Sequence, residues 1–141
     1  MDNLRDSRLS ASYWALRVTF IAVPILAGLD KFTNLLTNWT HYLSPVFARM
    51  LPVSPSAFMR VVGVVEILAG VLVLSKATRV GAYIVMAWMI CIALNLASMG
   101  LYDIAVRDLG LAVGAFALAR LDEVRAGVPV RAQVRRTAEA T

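Results

Sequence analysis

Apolar residues along the chain fall into four blocks, at about 13–32, 57–74, 80–99 and 103–121, separated by stretches that hold most of the polar positions. Each block is close to the ~20 residues needed to cross a ~30 Å hydrocarbon core. The pattern predicts an all-α polytopic membrane protein, a bundle of four transmembrane helices. The punctuation agrees with these bounds. Ser44-Pro45 and Ser54-Pro55 each read as an N-cap followed by proline at the first helical position. The second pair opens the second membrane helix. The first predicts a short interfacial helix over 45–51 in the first loop, with Val46, Phe47, Met50 and Leu51 as its apolar contacts. Thr78 and Asp103 are placed to cap the third and fourth helices. Pro24 lies inside the first block, where membrane helices tolerate proline at the expense of a kink. No small-x-small cleavage site follows that block, so it reads as a mature helix rather than a signal peptide.

Composition strengthens the class. Of 141 residues, 60% are hydrophobic and 16% charged, against about 45–50% and about 25% in soluble domains. The length suits one domain: a cytoplasmic segment over 1–12, the membrane domain over 13–121, and a flexible basic cytoplasmic tail over 122–141. The net charge of +5 is concentrated toward that end, at Arg120, Arg125, Arg131, Arg135 and Arg136. Such a cluster reads as a topology signal in contact with lipid headgroups, and it lacks the interleaved aromatics of a nucleic-acid surface. Arg5, Arg8, Lys76 and Arg79 fall on the same side as the tail, so both termini are expected in the cytoplasm. Cys91 is the single cysteine and His41 the single histidine. An intrachain disulfide, a CxxC pair and a bis-histidine haem are thereby excluded, and no metal-ligand spacing is present.

Charges inside the blocks pose the functional question, because ionisable groups in lipid are expensive. Asp30 ends the first helix on the outer side, Arg60 lies a turn below the start of the second, and Arg107 with Asp108 sits at similar depth on the fourth. Asn95 is in the outer half of the third helix, and Glu66 is deeper, near the bilayer middle. Arg17 is nearer the cytoplasmic side and shares a stripe with Pro24 and Gly28 that reads as a packing face. Gly63, Glu66 and Gly70 line one face of the second helix, and Arg107, Gly110 and Gly114 line one face of the fourth. Glycines at that spacing admit close helix contact, within the chain or between copies. The two stripes predict a Glu66–Arg107 ion pair, with Arg60 and Asp108 as second partners. Three uses remain open for the cluster: interhelical glue, a pocket for a small polar or amphipathic molecule, and proton or ion transport.

The residues ALR followed by AGLDKF in the first helix, GVVEILAGVLVL in the second and YDIAVRDLGLAVGAFALARL in the fourth resemble the DoxX-like family of small four-helix membrane proteins. The resemblance runs from about residue 15 to 121 and implies the bacterial inner membrane. The family it points to is functionally mixed. It includes subunits of thiosulfate:quinone oxidoreductase, proteins associated with a terminal quinol oxidase, and members of membrane thiol and oxidative-stress complexes. A quinone site carried over would fall on Glu66, Arg107 and Asp108, with Arg17 and Asp30 in support. A dithiol mechanism needs a cysteine pair, so a redox role here implies a partner subunit or a bound quinone. The expectation is an accessory or structural subunit of a membrane complex, in contact with lipid and other membrane proteins. The alternatives are a quinone-linked oxidoreductase subunit and a small-solute or ion carrier.

Overall fold

A computed structural model describes the backbone of residues 2–139 and the side chains of residues 7–126. Four long helices form a bundle: α1 (Asp2–Thr33), α3 (Pro55–Leu74), α4 (Thr78–Ser98) and α5 (Tyr102–Glu139). The loop after α1 carries a 3-10 turn (Trp39–Tyr42) and the short helix α2 (Pro45–Met50), matching the expected helix there to within a residue. α1 packs on α3 and α5, and α4 packs on α3 and α5. The helices therefore run in the ring order α1, α3, α4, α5, with α3 and α5 on a diagonal. Three of them, α1 over Ser7–Thr33, α3 and α4, are long and apolar enough to cross a membrane. Leu26, Val61, Leu68, Val80 and Val113 stand exposed on the bundle's outside, as a lipid-facing surface requires. α5 also carries Arg107, Asp108 and Arg120 along its apolar stretch.

The bundle has two unlike ends. At the turn end, the α3–α4 connection meets the amino-terminal half of α1. At the mouth end, the end of α1, the start of α3 and the α4–α5 connection surround the long loop. Helices extend past the expected bounds at both termini: α1 begins at Asp2, and α5 continues through the segment read as a flexible tail to Glu139. That segment holds four arginines and four alanines, good helix formers, and just before it Arg120 bonds Glu123 one turn on.

Local chemistry stops each helix. Gly100 takes a φ of 78° after α4, so Gly100 N–H donates to Ala97 O and Leu101 N–H to Leu96 O, the paired bonds of a Schellman ending. Asn34, at φ 51°, does similar work after α1, with its N–H on Asp30 O. Ser54 caps α3 as expected, accepting from the Ala57 N–H at 3.2 Å. Thr78 does not cap α4. It is the first helical residue, and its hydroxyl donates back to Val73 O at 3.1 Å. Arg17 reaches from α1 to the same place, donating to Val73 O, Leu74 O and Ser75 O at 2.9–3.2 Å. A guanidinium there satisfies open carbonyls and meets the negative end of the α3 dipole.

Candidate functional site

Glycine decides where the buried charges lie. α1 and α3 run antiparallel and touch at Gly28 and Gly63, so closely that a Cβ on either would come within 2.6 Å of the other's carbonyl oxygen. The stripe of α3 that carries Glu66 is therefore turned to α1, not to α5. Side chains on a helix lean toward its amino terminus. Lys31 on α1 leans from the mouth down into the bundle, and Glu66 on α3 leans up to meet it. They form an ion pair of 2.6 Å with side chains only 4% and 5% exposed. The ammonium also sits 3.7 Å from the centre of the Trp39 ring, a cation–π contact that covers it from above.

The expected Glu66–Arg107 pair is not formed. α5 lies diagonally across the bundle from α3, and its amino terminus is at the mouth, so Arg107 leans away from the depth of Glu66. Its guanidinium instead bonds its neighbour Asp108 at 2.9 Å, with the arginine side chain 66% exposed and Asp108 buried. The glycines of α5 do not carry the close helix contact either: a Cβ on Gly110 would meet nothing within 4 Å, and one on Gly114 would meet only Phe20.

The other expected site residues divide by task. Asp30 is buried and holds the loop. Its carboxylate accepts from the Trp39 indole N–H at 2.7 Å, from the Leu35 and Leu36 N–H groups, and from the Thr33 hydroxyl. Asn95 holds the loop from the other side, donating to Tyr42 O at 2.6 Å and accepting from Ser44 N–H at 3.0 Å. Arg60 is exposed at the rim. Arg17 belongs to the turn end and lies apart from all of these.

Beneath the loop, among all four long helices, is a cavity of about 780 Å³. Its walls are chiefly apolar, including Val23 and Ala27 of α1, Val62 of α3 and Met89 of α4, with Phe47 and Leu51 of the loop as its roof. Lys31, Glu66, Asn95, Arg107 and Asp108 all reach its surface. So does Trp88, whose buried indole N–H is directed at the Glu66 carboxylate without closing a short hydrogen bond. Cys91 and Leu94 line it from exposed positions on α4, so the cavity borders the lipid-facing side of the bundle. A volume of this size suits a drug-sized or cofactor-sized molecule. Among the described residues no group of three or more histidine, cysteine, aspartate or glutamate side chains could hold a metal ion.

Lys31, Trp39 and Trp88 are the site residues that reading the sequence missed. Lys31 carried a usable signal: it stands three residues after Gly28 on the packing stripe of α1, and that spacing puts it on the face turned to α3. Trp39 and Trp88 carried none, because an aromatic in a loop or an apolar run is ordinarily a membrane-interface or packing residue.

A family model described as DoxX matches residues 13–98, taking in Lys31 and Glu66 and ending before Arg107 and Asp108. No curated protein and no solved structure matches the chain.

Proposed function

The chain belongs to the DoxX family, and we propose on that premise that it is a membrane subunit that holds an amphipathic molecule of quinone or lipid type in the cavity under its loop. In this reading α5 is a fourth crossing, both termini are in the cytoplasm of a cell bounded by its inner membrane, and the ligand is shared with a partner protein. The arginines at both ends, with Lys76 in the α3–α4 turn and Arg79 just after it, support that orientation. One observation carries the reading: an apolar space of about 780 Å³ ends on the buried Lys31–Glu66 pair and on the Trp88 indole N–H beside it.

Chemistry narrows the ligand. Asp30 and Asn95 are committed to the loop, and Glu66 is committed to Lys31. The donor held least tightly is Trp88 N–H, whose contact with Glu66 is a long one, and it fits a carbonyl oxygen of a quinone ring or a lipid ester. The apolar walls fit an isoprenoid or acyl chain. The committed carboxylates favour holding over chemistry, and so an accessory role rather than catalysis by this chain alone.

Mass spectrometry of the gently purified protein tests this. Wild type is expected to retain a stoichiometric quinone or lipid that Ala27→Phe, which fills the cavity, loses. Equal lipid content in the two proteins, with no quinone in either, would make the cavity a packing gap and defeat the reading.

A further inference from the structure

A second, polar pocket of about 460 Å³ opens at the mouth between the loop and the start of α3. Its lining includes Lys31, Asn34, Asn38, Thr40, Ser56 and Arg60, and no carboxylate is among its lining residues. The nearest acidic group in sequence, Asp30, is spent on the loop. Glu66 neutralises Lys31 from below, which leaves the charge of Arg60 uncompensated: it has no hydrogen-bond or ion-pair partner among the described residues.

The amide oxygens of the pocket are already engaged. Asn34 Oδ1 already accepts from Trp39 N–H, and Asn38 Oδ1 from the N–H and hydroxyl of Thr40. The groups of its lining that can donate into the space are the Arg60 guanidinium, the Asn34 amide NH₂ and the Ser56 hydroxyl, the last able to accept as well. A donor-rich, carboxylate-free pocket with one free guanidinium matches an oxyanion, and the planar fork of arginine matches a phosphate best. Met59 and Lys31 line both this pocket and the cavity below, so an anion held here would sit directly above the apolar space.

We propose that the mouth pocket is a phosphate-binding site in which Arg60, Asn34 and Ser56 hold the anion, supplied as a lipid headgroup or as free phosphate. Arg60 contributes the charge and the forked geometry, and the two neutral donors fix the remaining oxygens. The site uses different residues from those proposed to hold the cavity ligand, so Ala27→Phe should empty the cavity and leave the anion site intact.

The test uses the full chain in neutral detergent. Equilibrium dialysis with radiolabelled inorganic phosphate measures the free anion, and native mass spectrometry after incubation with phosphatidylglycerol measures the lipid. Saturable binding of either probe is expected, weakened roughly tenfold or more in Arg60→Gln and less in Arg60→Lys, with circular dichroism unchanged because Arg60 is exposed. Retention of the lipid alone assigns the anion to a headgroup; binding of inorganic phosphate assigns it to a free anion. Binding of neither probe, or binding by Arg60→Gln equal to wild type, overturns the proposal.

Discussion

The two ends of the bundle solve the same packing problem in opposite ways. At the turn end, Tyr13, Phe20, Val73, Val85, Ala115 and Leu118 belong to one continuous core, with Ala69, Ala82 and Ala119 letting the backbones approach. Polar bonds seal it from below, from Tyr13 to Asp122 at 2.9 Å and from Tyr83 to Glu123 at 3.2 Å. At the mouth end the core is split. Leu43, Met59 and Val62 form one small cluster, and Ala93, Leu96 and Ala105 another, and residues packed on both clusters line the cavity. Lipid is as apolar as leucine, so helices in a membrane associate through close packing and hydrogen bonds. Both ends use both, but the turn end has a continuous apolar core, whereas the mouth end, apart from the Gly28–Gly63 contact, is held by polar bonds. Only the mouth end leaves room for a ligand.

Removing the polar support should have the largest effect. Glu66→Ala leaves the Lys31 ammonium buried without its counter-ion, which costs about 3–5 kcal/mol where such pairs have been broken. Unfolding in mixed micelles should register that loss, and Lys31→Met combined with Glu66→Leu should recover most of it. Exchanging Glu66 with Lys31 should restore stability in part, whereas exchanging Glu66 with Arg107 should restore none. A full rescue by the Arg107 exchange would mean that the two ends are not held as described.

Truncation of apolar side chains gives the next effect. Leu118 is fully buried in the turn-end core, so Leu118→Ala should cost about 3 kcal/mol through the cavity it opens. Ile92 already faces the mouth-end space. Ile92→Ala enlarges an existing void and should cost under about 1 kcal/mol, because fewer packed contacts are lost. Comparable losses at the two positions would erase the distinction between a packed end and an open one.

Arg107→Gln should matter least to stability. The arginine is largely exposed and, although its partner Asp108 is buried, the glutamine amide can still donate to that carboxylate, so the loss should stay near the ~0–1 kcal/mol of exposed pairs. The same unfolding assay measures it, and a loss as large as that of Glu66→Ala would show a buried role for Arg107 that its exposure argues against.

Much of the architecture was legible because it rests on local signals. Block length and hydropathy marked the long helices, and Ser54-Pro55 and Ser44-Pro45 marked where α3 and α2 begin. The partner of Glu66 was not legible, because periodicity gives the face on which a residue lies but not the neighbour that face meets. The glycine-bearing stripes of α3 and α5 read as faces that pack on each other. The deciding contact is Gly28 with Gly63, which turns Glu66 to Lys31. Asn95 was legible as a polar group out of place on α4, but its partners, the main-chain groups of Tyr42 and Ser44, emerge only once the loop has folded.

The bonds to Asp30 have a consequence for the loop itself. Leu35 and Leu36 have exposed side chains, and they lie outside any helix. Such a stretch would ordinarily trade its amide protons with solvent quickly. Both amides are instead tied to a buried carboxylate, so they should remain deuterium-resistant for as long as α1 keeps its last turn. In Asp30→Asn, protection should fall at these two positions before it falls anywhere in α1, making the mouth-end loop report on the integrity of the helix beneath it.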